Sequence, residues 1–312
     1  MTTLTTPVGL IVFNRPSTTQ KVFEAIRKAK PAKLFIASDG PRPGRTDDLE
    51  NCNAVKKIVK NVDWDCQVYT RFSDSNAGCG HGPANGISWI FSQVEEAIIL
   101  EDDCLPGKDF FAFCQENLAR YRNDQRVMLV SGTNYLGEWK ASSQSYHFSK
   151  YGGIWGWASW RRAWEHFDFK ISLWGQQEIR DRLKDTMGEK NFKLRARIYQ
   201  QTYQGDNVDW WDYQWGFARL IQSGLAIVPS KNLISNLGCG TQGATHLQSG
   251  TAAQKFGNQP TFEMKFPLKH NAFVVADDGY DTKLLDAFSG RGSIAQRGTH
   301  FILKKFRRVL TS

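Results

Sequence analysis

The sequence predicts an α/β fold: a doubly wound, mostly parallel sheet flanked by helices. Three observations carry this. Apolar runs rich in Val, Ile and Leu recur between helix-like stretches, giving β-α-β-α-β-α-β over about the first hundred residues. Those runs are continuous rather than alternating, as strands buried on both faces are. One of them, Ala97-Ile98-Ile99-Leu100, runs straight into Glu101-Asp102-Asp103. That places three carboxylates at the C-terminal end of a strand, where open α/β sheets hold their ligands.

Each element follows in order. Val8–Phe13 reads as the first strand, broken by Asn14-Arg15-Pro16-Ser17, with Thr18 or Thr19 as candidate caps of a helix to about Lys30. Lys33–Ser38 is the second strand, ended by Asp39-Gly40-Pro41, a good turn sequence. Arg42–Asp48 reads as a polar loop, Leu49–Lys60 as a helix and Cys66–Phe72 as the third strand. Asn76–Gly82 reads as a glycine-rich loop before a helix to about Val94, and the acid-tipped strand follows. Pro106–Asn123 is expected as a helix, Val127–Gly132 as a strand, and Asn134–Ser149 as polar loop. The segment Tyr151–Trp164 is rich in Gly and Trp, and Asp181–Tyr203 looks helical and charged. Trp210–Trp215 leads into a helix to about Ser223, followed by a strand near Leu225–Pro229. Leu237–Gly250 holds four glycines and is expected to be a mobile loop.

Composition bounds the rest. The chain has 312 residues, 41% of them apolar, which suits one large or two small soluble domains. With no clear linker or repeat, a single catalytic domain over 1–280 is expected, followed by a basic tail over 281–312. Within it, 1–132 is read as the nucleotide-sugar half and 133–280 as the acceptor half. The net charge of +9 points to an anionic partner without choosing one. The 11 tryptophans suit either a sugar-binding surface or an aromatic core. The 6 cysteines form no C-x-x-C pair, which argues against a zinc site and a dense disulfide framework. The N-terminus has no basic n-region, and no apolar run approaches the roughly 18 residues of a membrane span, so a cytoplasmic location is expected.

Three adjacent acids repel one another and call for a positive partner. A hard divalent cation, Mn²⁺ or Mg²⁺, held by one or two carboxylates and by substrate phosphates fits best, with Asp103 as ligand. The alternative is a solvated acidic turn. Arg15 and Asp39, on the loops after the first two strands, share that edge. Arg15 is a candidate contact to a base or diphosphate, and Asp39 an acceptor from a base or ribose. No G-x-G-x-x-G and no G-K-[ST] follow the first strand, so neither a dinucleotide fold nor a P-loop is supported. Asp63-Trp64-Asp65 also matches D-x-D, but it precedes its strand and belongs to the opposite edge.

Glu101-Asp102-Asp103 after a buried fourth strand resembles the acid motif of GT-A glycosyltransferases, specifically the inverting N-acetylglucosaminyltransferase I family. Asp109-Phe110-Phe111, Ser131 with Asn134, the Trp-rich helix entry Gly153–Trp164, and Trp211-Asp212 with Trp215 continue the likeness in order over roughly residues 7 to 240. Bacterial surface-polysaccharide sugar transferases are more similar still. Cys104-Leu105-Pro106 and the chain beyond about 250 depart from the pattern. The resemblance implies a GT-A, Rossmann-like fold and transfer from a nucleotide-diphosphate sugar, foremost a UDP-sugar, to a glycan or glycolipid hydroxyl with inversion. It implies Glu101 and Asp102 on sugar or ribose hydroxyls or metal-bound water, and Asp212 as general base. Aromatic neighbours around Asp212 suit that role by desolvating it. The competing reading makes Asp212 a helix cap and its tryptophans core, and Asp209 is the rival base. His246, in the glycine-rich loop, is a candidate to close over the diphosphate or bind metal. Gly78, Gly80 and His81 are candidate pocket residues.

A sugar-1-phosphate nucleotidyltransferase would share the strand order but wants a glycine-rich loop where Asn14-Arg15-Pro16 stands. A basic anion- or RNA-binding protein would interleave basic residues with exposed aromatics; here they are spread along the chain, and nucleic acid is not expected as a partner. His300–Leu310 has the pattern of an interfacial helix. Weak peripheral contact with an anionic membrane is one reading of it, and a helix packed on the catalytic domain is the other.

Overall fold

The computed structural model describes residues 4–205, 208–238 and 256–288. The first half alternates as expected: β1 (Val8–Val12), α1 (Pro16–Ala29), β2 (Lys33–Ser38), α2 (Thr46–Val59), β3 (Gln67–Phe72), α3 (Gly78–Gln93) and β4 (Glu96–Glu101). Pro16 opens α1, where its fixed φ is already helical and its missing N–H is not needed. Thr18 and Thr19 are therefore not caps. They lie inside the helix and return their hydroxyls to the Arg15 carbonyl at 3.3 and 2.7 Å. The polar stretch before α2 is shorter than expected, because Thr46, Asp47 and Asp48 form its first turn, where acids suit the helix dipole.

The glycine-rich stretch is likewise not all loop, since α3 begins at Gly78. A Cβ on Gly82 would stand 2.8 Å from Asp39 Oδ2, and one on Gly86 2.9 Å from the Ala37 Cβ. Glycine lets α3 lie against the end of β2, and this packing outweighs its poor helix propensity.

The second half holds β5 (Cys104–Pro106), α4 (Phe110–Tyr121), β6 (Val127–Ser131), β7 (Tyr146–Ser149), β8 (Trp157–Trp160) and the short α5 (Arg161–Trp164). Then come α6 (Gln177–Met187), α7 (Glu189–Gln204), α8 (Asp212–Ile221), β9 (Leu225–Pro229), β10 (Ile234–Asn236) and α9 (Asp278–Phe288). Several expectations are corrected here. The helix expected from Pro106 starts at Phe110, because Cys104–Pro106 pairs antiparallel with β10. The polar loop to Ser149 ends in β7, buried at all four positions despite its His and Ser. The Trp-rich helix entry holds a strand ahead of its helix: β8 pairs antiparallel with β4 and with β6, and α5 follows it directly. The charged helix is two, α6 and α7, separated by Gly188 at φ 76°.

The main sheet has eight strands in the order β3-β2-β1-β4-β8-β6-β9-β7. β1, β2, β3, β4, β6 and β9 run one way; β8 and β7 run against them. It is a large, mostly parallel sheet flanked by helices, and β8 stitches the early strands to the late ones. The expected boundary at 280/281 falls inside α9, whose Asp281 accepts from the Ser149 hydroxyl at 2.5 Å and the Lys150 N–H at 3.1 Å. Trp157, Trp164, Trp211 and Trp215 are buried in one cluster on a face of the sheet. The mobile loop expected after Gly238, with His246, and the tail segment His300–Leu310 lie outside the described residues. Among the described residues no helix is long and apolar enough to cross a membrane.

Candidate functional site

β1 and β4 are paired neighbours, so their C-terminal ends bring Arg15 to the acids. The Phe13 N–H donates to Asp102 Oδ2 at 3.0 Å. One Arg15 nitrogen, Nη1, bridges Asp102 Oδ1 at 3.3 Å and Asp103 Oδ2 at 2.7 Å. Burial acts to lower the Arg15 pKa, but the charges of Asp102, Asp103 and Glu101 outweigh it and raise it. Burial pushes Asp102 up to about 6 against the pull of Arg15. Glu101 differs from both neighbours, since its carboxyl accepts no hydrogen bond from the described residues. Desolvation first, then the charges of Asp103, Asp102 and Asp212, hold it well above the usual carboxylate range. The wall behind Asp103 is backbone: Leu237 N–H donates to the Asp103 carbonyl at 2.7 Å, and a Cβ on Gly238 would strike Asp103 Oδ2.

Asp39 is brought to the same edge at the end of β2, but its carboxylate is engaged. It accepts from Gly40 N–H at 3.0 Å, from Ala77 N–H at 2.9 Å, from Gly78 N–H at 3.2 Å and from the Asn76 amide at 3.0 Å. Burial raises its pKa, and the backbone donors pull the other way. The next amide, Cys79 N–H, donates to Asp209 Oδ1 at 3.0 Å. The start of α3 is thus occupied by two of the protein's own carboxylates, which counts against Gly78 and Gly80 as residues lining a nucleotide pocket. His81 stacks on Phe169 with ring centroids 3.7 Å apart.

Asp212 is the first residue of α8. Its charge acts on Glu101 and on Tyr135, Tyr199 and Tyr213, raising the pKa of each. Its neighbours Trp211 and Trp215 are 4% and 0% exposed, which removes them as sugar-stacking surfaces. Trp210 and Tyr213 remain half-buried beside it. Ser131 and Asn134 are also turned inward. Ser131 donates to the Gly153 carbonyl at 2.9 Å, and Asn134 to the Pro229 carbonyl at 2.9 Å.

Sequence reasoning missed three supports. Asp48 is buried and accepts from Asn14 at 2.6 Å and from Arg42 at 2.5 and 2.8 Å. That braces the Asn14-Arg15 turn, and Arg42 foremost holds the Asp48 pKa far below the usual range. Its position in a helical first turn was the available signal. Arg195 on α7 lies over the Tyr213 ring at 5.1 Å, and Tyr135 faces Asp212. Both lie far from the acids in sequence, and no local pattern marks them.

The acids suit a hard divalent cation in one specific way. Glu101 offers a carboxyl with no donor on it, and Asp103 lies two residues on with an exposed remnant of 13%. Among the described residues no group of three or more His, Cys, Asp or Glu forms a metal cage. One or two carboxylates at a strand end would suit a magnesium-type ion that takes its other ligands from water and substrate phosphate. Asp63 of the second D-x-D instead pairs with Arg27 on α1, toward the opposite edge. A groove lined by Gln20, Phe23, Glu24, Arg27, Lys57 and Lys60 lies on that side, away from these acids.

No family model and no curated protein matches this sequence. Among solved structures the chain is similar to a UDP-glucose pyrophosphorylase complexed with UDP-glucose, at 12% identity and a TM-score of 0.25, covering 46% of this chain and 62% of that one. It is also similar to an apo UDP-glucose pyrophosphorylase, at 9% identity and a TM-score of 0.36, covering 74% and 93%. Mouse xyloside xylosyltransferase 1, apo form, is a third, at 10% identity and a TM-score of 0.33, covering 69% and 80%. The chain therefore spans less than two thirds of the first of these, and likeness at this level leaves the functional reading to the residues of this chain.

Proposed function

We propose that the chain is a GT-A-type glycosyltransferase. It moves a sugar from a nucleotide-diphosphate donor, foremost a UDP-sugar, to a hydroxyl of a glycan or glycolipid acceptor, with inversion. The observation that carries this reading is the acid group at the end of β4, where Arg15 Nη1 bridges Asp102 at 3.3 Å and Asp103 at 2.7 Å and the Glu101 carboxyl beside them accepts no hydrogen bond from the described residues. Asp103 and Glu101 are the residues that would hold Mn²⁺ or Mg²⁺, which when bound neutralises charge on the departing diphosphate. Asp102 also sets Arg15, its two oxygens accepting from the Phe13 N–H and from Arg15. Arg15 is placed to meet the diphosphate. Asp212 takes the proton of the acceptor hydroxyl; the oxygen's electron pair attacks the anomeric carbon, and the bond to the diphosphate breaks on the opposite face. His246 is kept as a proposed closing residue over the diphosphate.

A nucleotidyltransferase is disfavoured by the loop after β1, where Asn14-Arg15-Pro16 leads directly into α1 in place of a glycine cradle. Calorimetric titration of UDP into the protein, with and without Mn²⁺, tests the reading. Binding is expected only or mainly with Mn²⁺, and Asp103→Ala is expected to remove that dependence and abolish transfer while the fold is kept. UDP binding indifferent to EDTA, with full activity of Asp103→Ala, overturns the metal assignment and leaves Arg15 as the sole counter-charge.

A further inference from the structure

We infer that Asp209 is a positioning residue that registers the base Asp212 against α3; the inference rests on the proposed role of Asp212. The segment Asp209-Trp210-Trp211 enters α8 and is fixed at each step before Asp212. Asp209 Oδ1 accepts from the Cys79 N–H at 3.0 Å, on the first turn of α3. One residue on, a Cβ at Gly80 would stand 3.0 Å from the Trp210 carbonyl oxygen and 3.1 Å from its nitrogen, so the two backbones are in contact. The same Cβ would meet the Phe169 ring at 3.2 Å. The Trp210 indole donates to the Thr202 hydroxyl on α7 at 3.0 Å, and its carbonyl accepts from the Gln214 side chain at 2.8 Å. The start of α3 is held in turn by Asp39 through Ala77 and Gly78. A continuous path of hydrogen bonds and backbone contact therefore runs from the end of β2 to Trp210, two residues before the base.

This path gives Asp209 a role that a proton-accepting group does not have. A carboxylate that serves as an acceptor for one amide is replaced by an asparagine, whose Oδ1 accepts the same bond. A general base is not replaced that way, because an amide takes no proton. A displacement of the base by a fraction of an ångström matters, since misplacement by about 1 Å costs on the order of 10²-fold in rate.

The experiment uses the full chain and four variants: Asp209→Asn, Asp209→Ala, Gly80→Ala and Asp212→Asn. UDP release is measured over a panel of UDP-sugars, and the sugar with the highest rate is kept for all variants. Asp209→Asn is expected within a few-fold of wild type. Asp209→Ala and Gly80→Ala are expected to lose roughly 10- to 100-fold in kcat with the donor KM held. Amide hydrogen exchange without ligand is the second readout. Asp209→Ala is expected to lose protection both at residues 77–82 and at 209–213, and Asp209→Asn to keep it. An inactive Asp209→Asn overturns the inference, because the group then titrates. So does an Asp209→Ala variant with normal kcat, or one whose exchange changes at 77–82 alone. A normal Asp212→Asn instead overturns the base assignment, and the exchange pattern still decides whether Asp209 registers the start of α8.

Discussion

Between Leu4 and Leu100 no buried side-chain nitrogen or oxygen lacks a hydrogen-bond partner, whereas from Asn117 onward several do among the described residues. Trp157 Nε1, Trp215 Nε1, the Gln214 Oε1, the Tyr199 hydroxyl, Arg219 Nε and Nη1 and both ring nitrogens of His147 are among them. The early region is a regular parallel sheet whose polar groups are matched pair by pair: Asp48 with Arg42 and Asn14, Asp102 with Arg15 and Phe13. The late region is built on packed rings, with Trp157 about 6 Å from Trp164, Trp211 and Trp215. Ring packing fills space well but leaves polar edges pointing into apolar surroundings, each needing an ordered water or carrying a cost. The candidate site lies at the seam, with its acids from the matched region and the proposed base Asp212 from the aromatic one.

If the base belongs to the aromatic region, Asp212→Asn should keep donor binding and lose roughly 10²- to 10⁴-fold in turnover, the usual range for losing a positioned base. Single-turnover rates alongside UDP titration check it. Lost donor binding with unchanged chemistry would instead assign Asp212 to the acid floor.

His147 tests whether burial without partners shows in the pH dependence. Desolvation foremost lowers its pKa from 6.5 to about 4, with Asp277 opposing and Lys140 adding. The folded protein holds it neutral while the unfolded chain takes a proton. The stability it supports is therefore complete above pH 6.5 and falls away as the pH drops toward 4, by up to about 1.4 kcal/mol per pH unit. His147→Leu should flatten that limb. The comparison must be wild type against variant, because Asp281, pushed up to about 6 by burial, contributes with the opposite sign in both. Parallel denaturation curves for the two proteins from pH 7 to 4 would show that His147 finds a partner.

Arg219 gives the smallest expected effect and the sharpest sign. It is 3% exposed, and burial draws its pKa down to about 10. Its guanidinium lies over the Trp215 ring, 5.9 Å from the centroid. Arg219→Met should be neutral or stabilising by about 1 kcal/mol, since an apolar side chain of similar length removes an under-bonded buried cation. Urea midpoints measure it. A loss above about 2 kcal/mol would mean the guanidinium is satisfied, and the contrast between the regions would shrink.

The same contrast explains what could be read from the residues alone. β1, β2, β4 and β9 announce themselves as unbroken apolar runs, because a strand covered on both faces has no polar face to show. β7 reads Tyr-His-Phe-Ser and β8 reads Trp-Ala-Ser-Trp, so their burial depends on ring packing and on bonds such as Ser159 to the Met128 carbonyl at 2.7 Å. Such strands have the composition of loops. Glu101 to Asp103 stood out because acids directly after a buried strand are conspicuous. That Asp39 and Asp209 act as acceptors at the start of α3 was not legible, because their partners are backbone amides 38 and 130 residues away.

The two outer strands of the sheet have unequal fates in concentrated solution. Beside β7, Ala276 bridges to Phe148 and the Asp277 N–H donates to the Phe148 carbonyl at 2.7 Å, so that border is closed. β3 has β2 on one side and, among the described residues, no strand on the other, with Val68 and Tyr69 about 40% exposed. Such a border is a template on which a second chain can add a strand. The charge of +9 keeps copies apart at low ionic strength. Salt removes that repulsion, so crowding the protein in strong salt invites edge-to-edge growth from Gln67–Phe72, and a lysine at Tyr69 is the simplest guard against it.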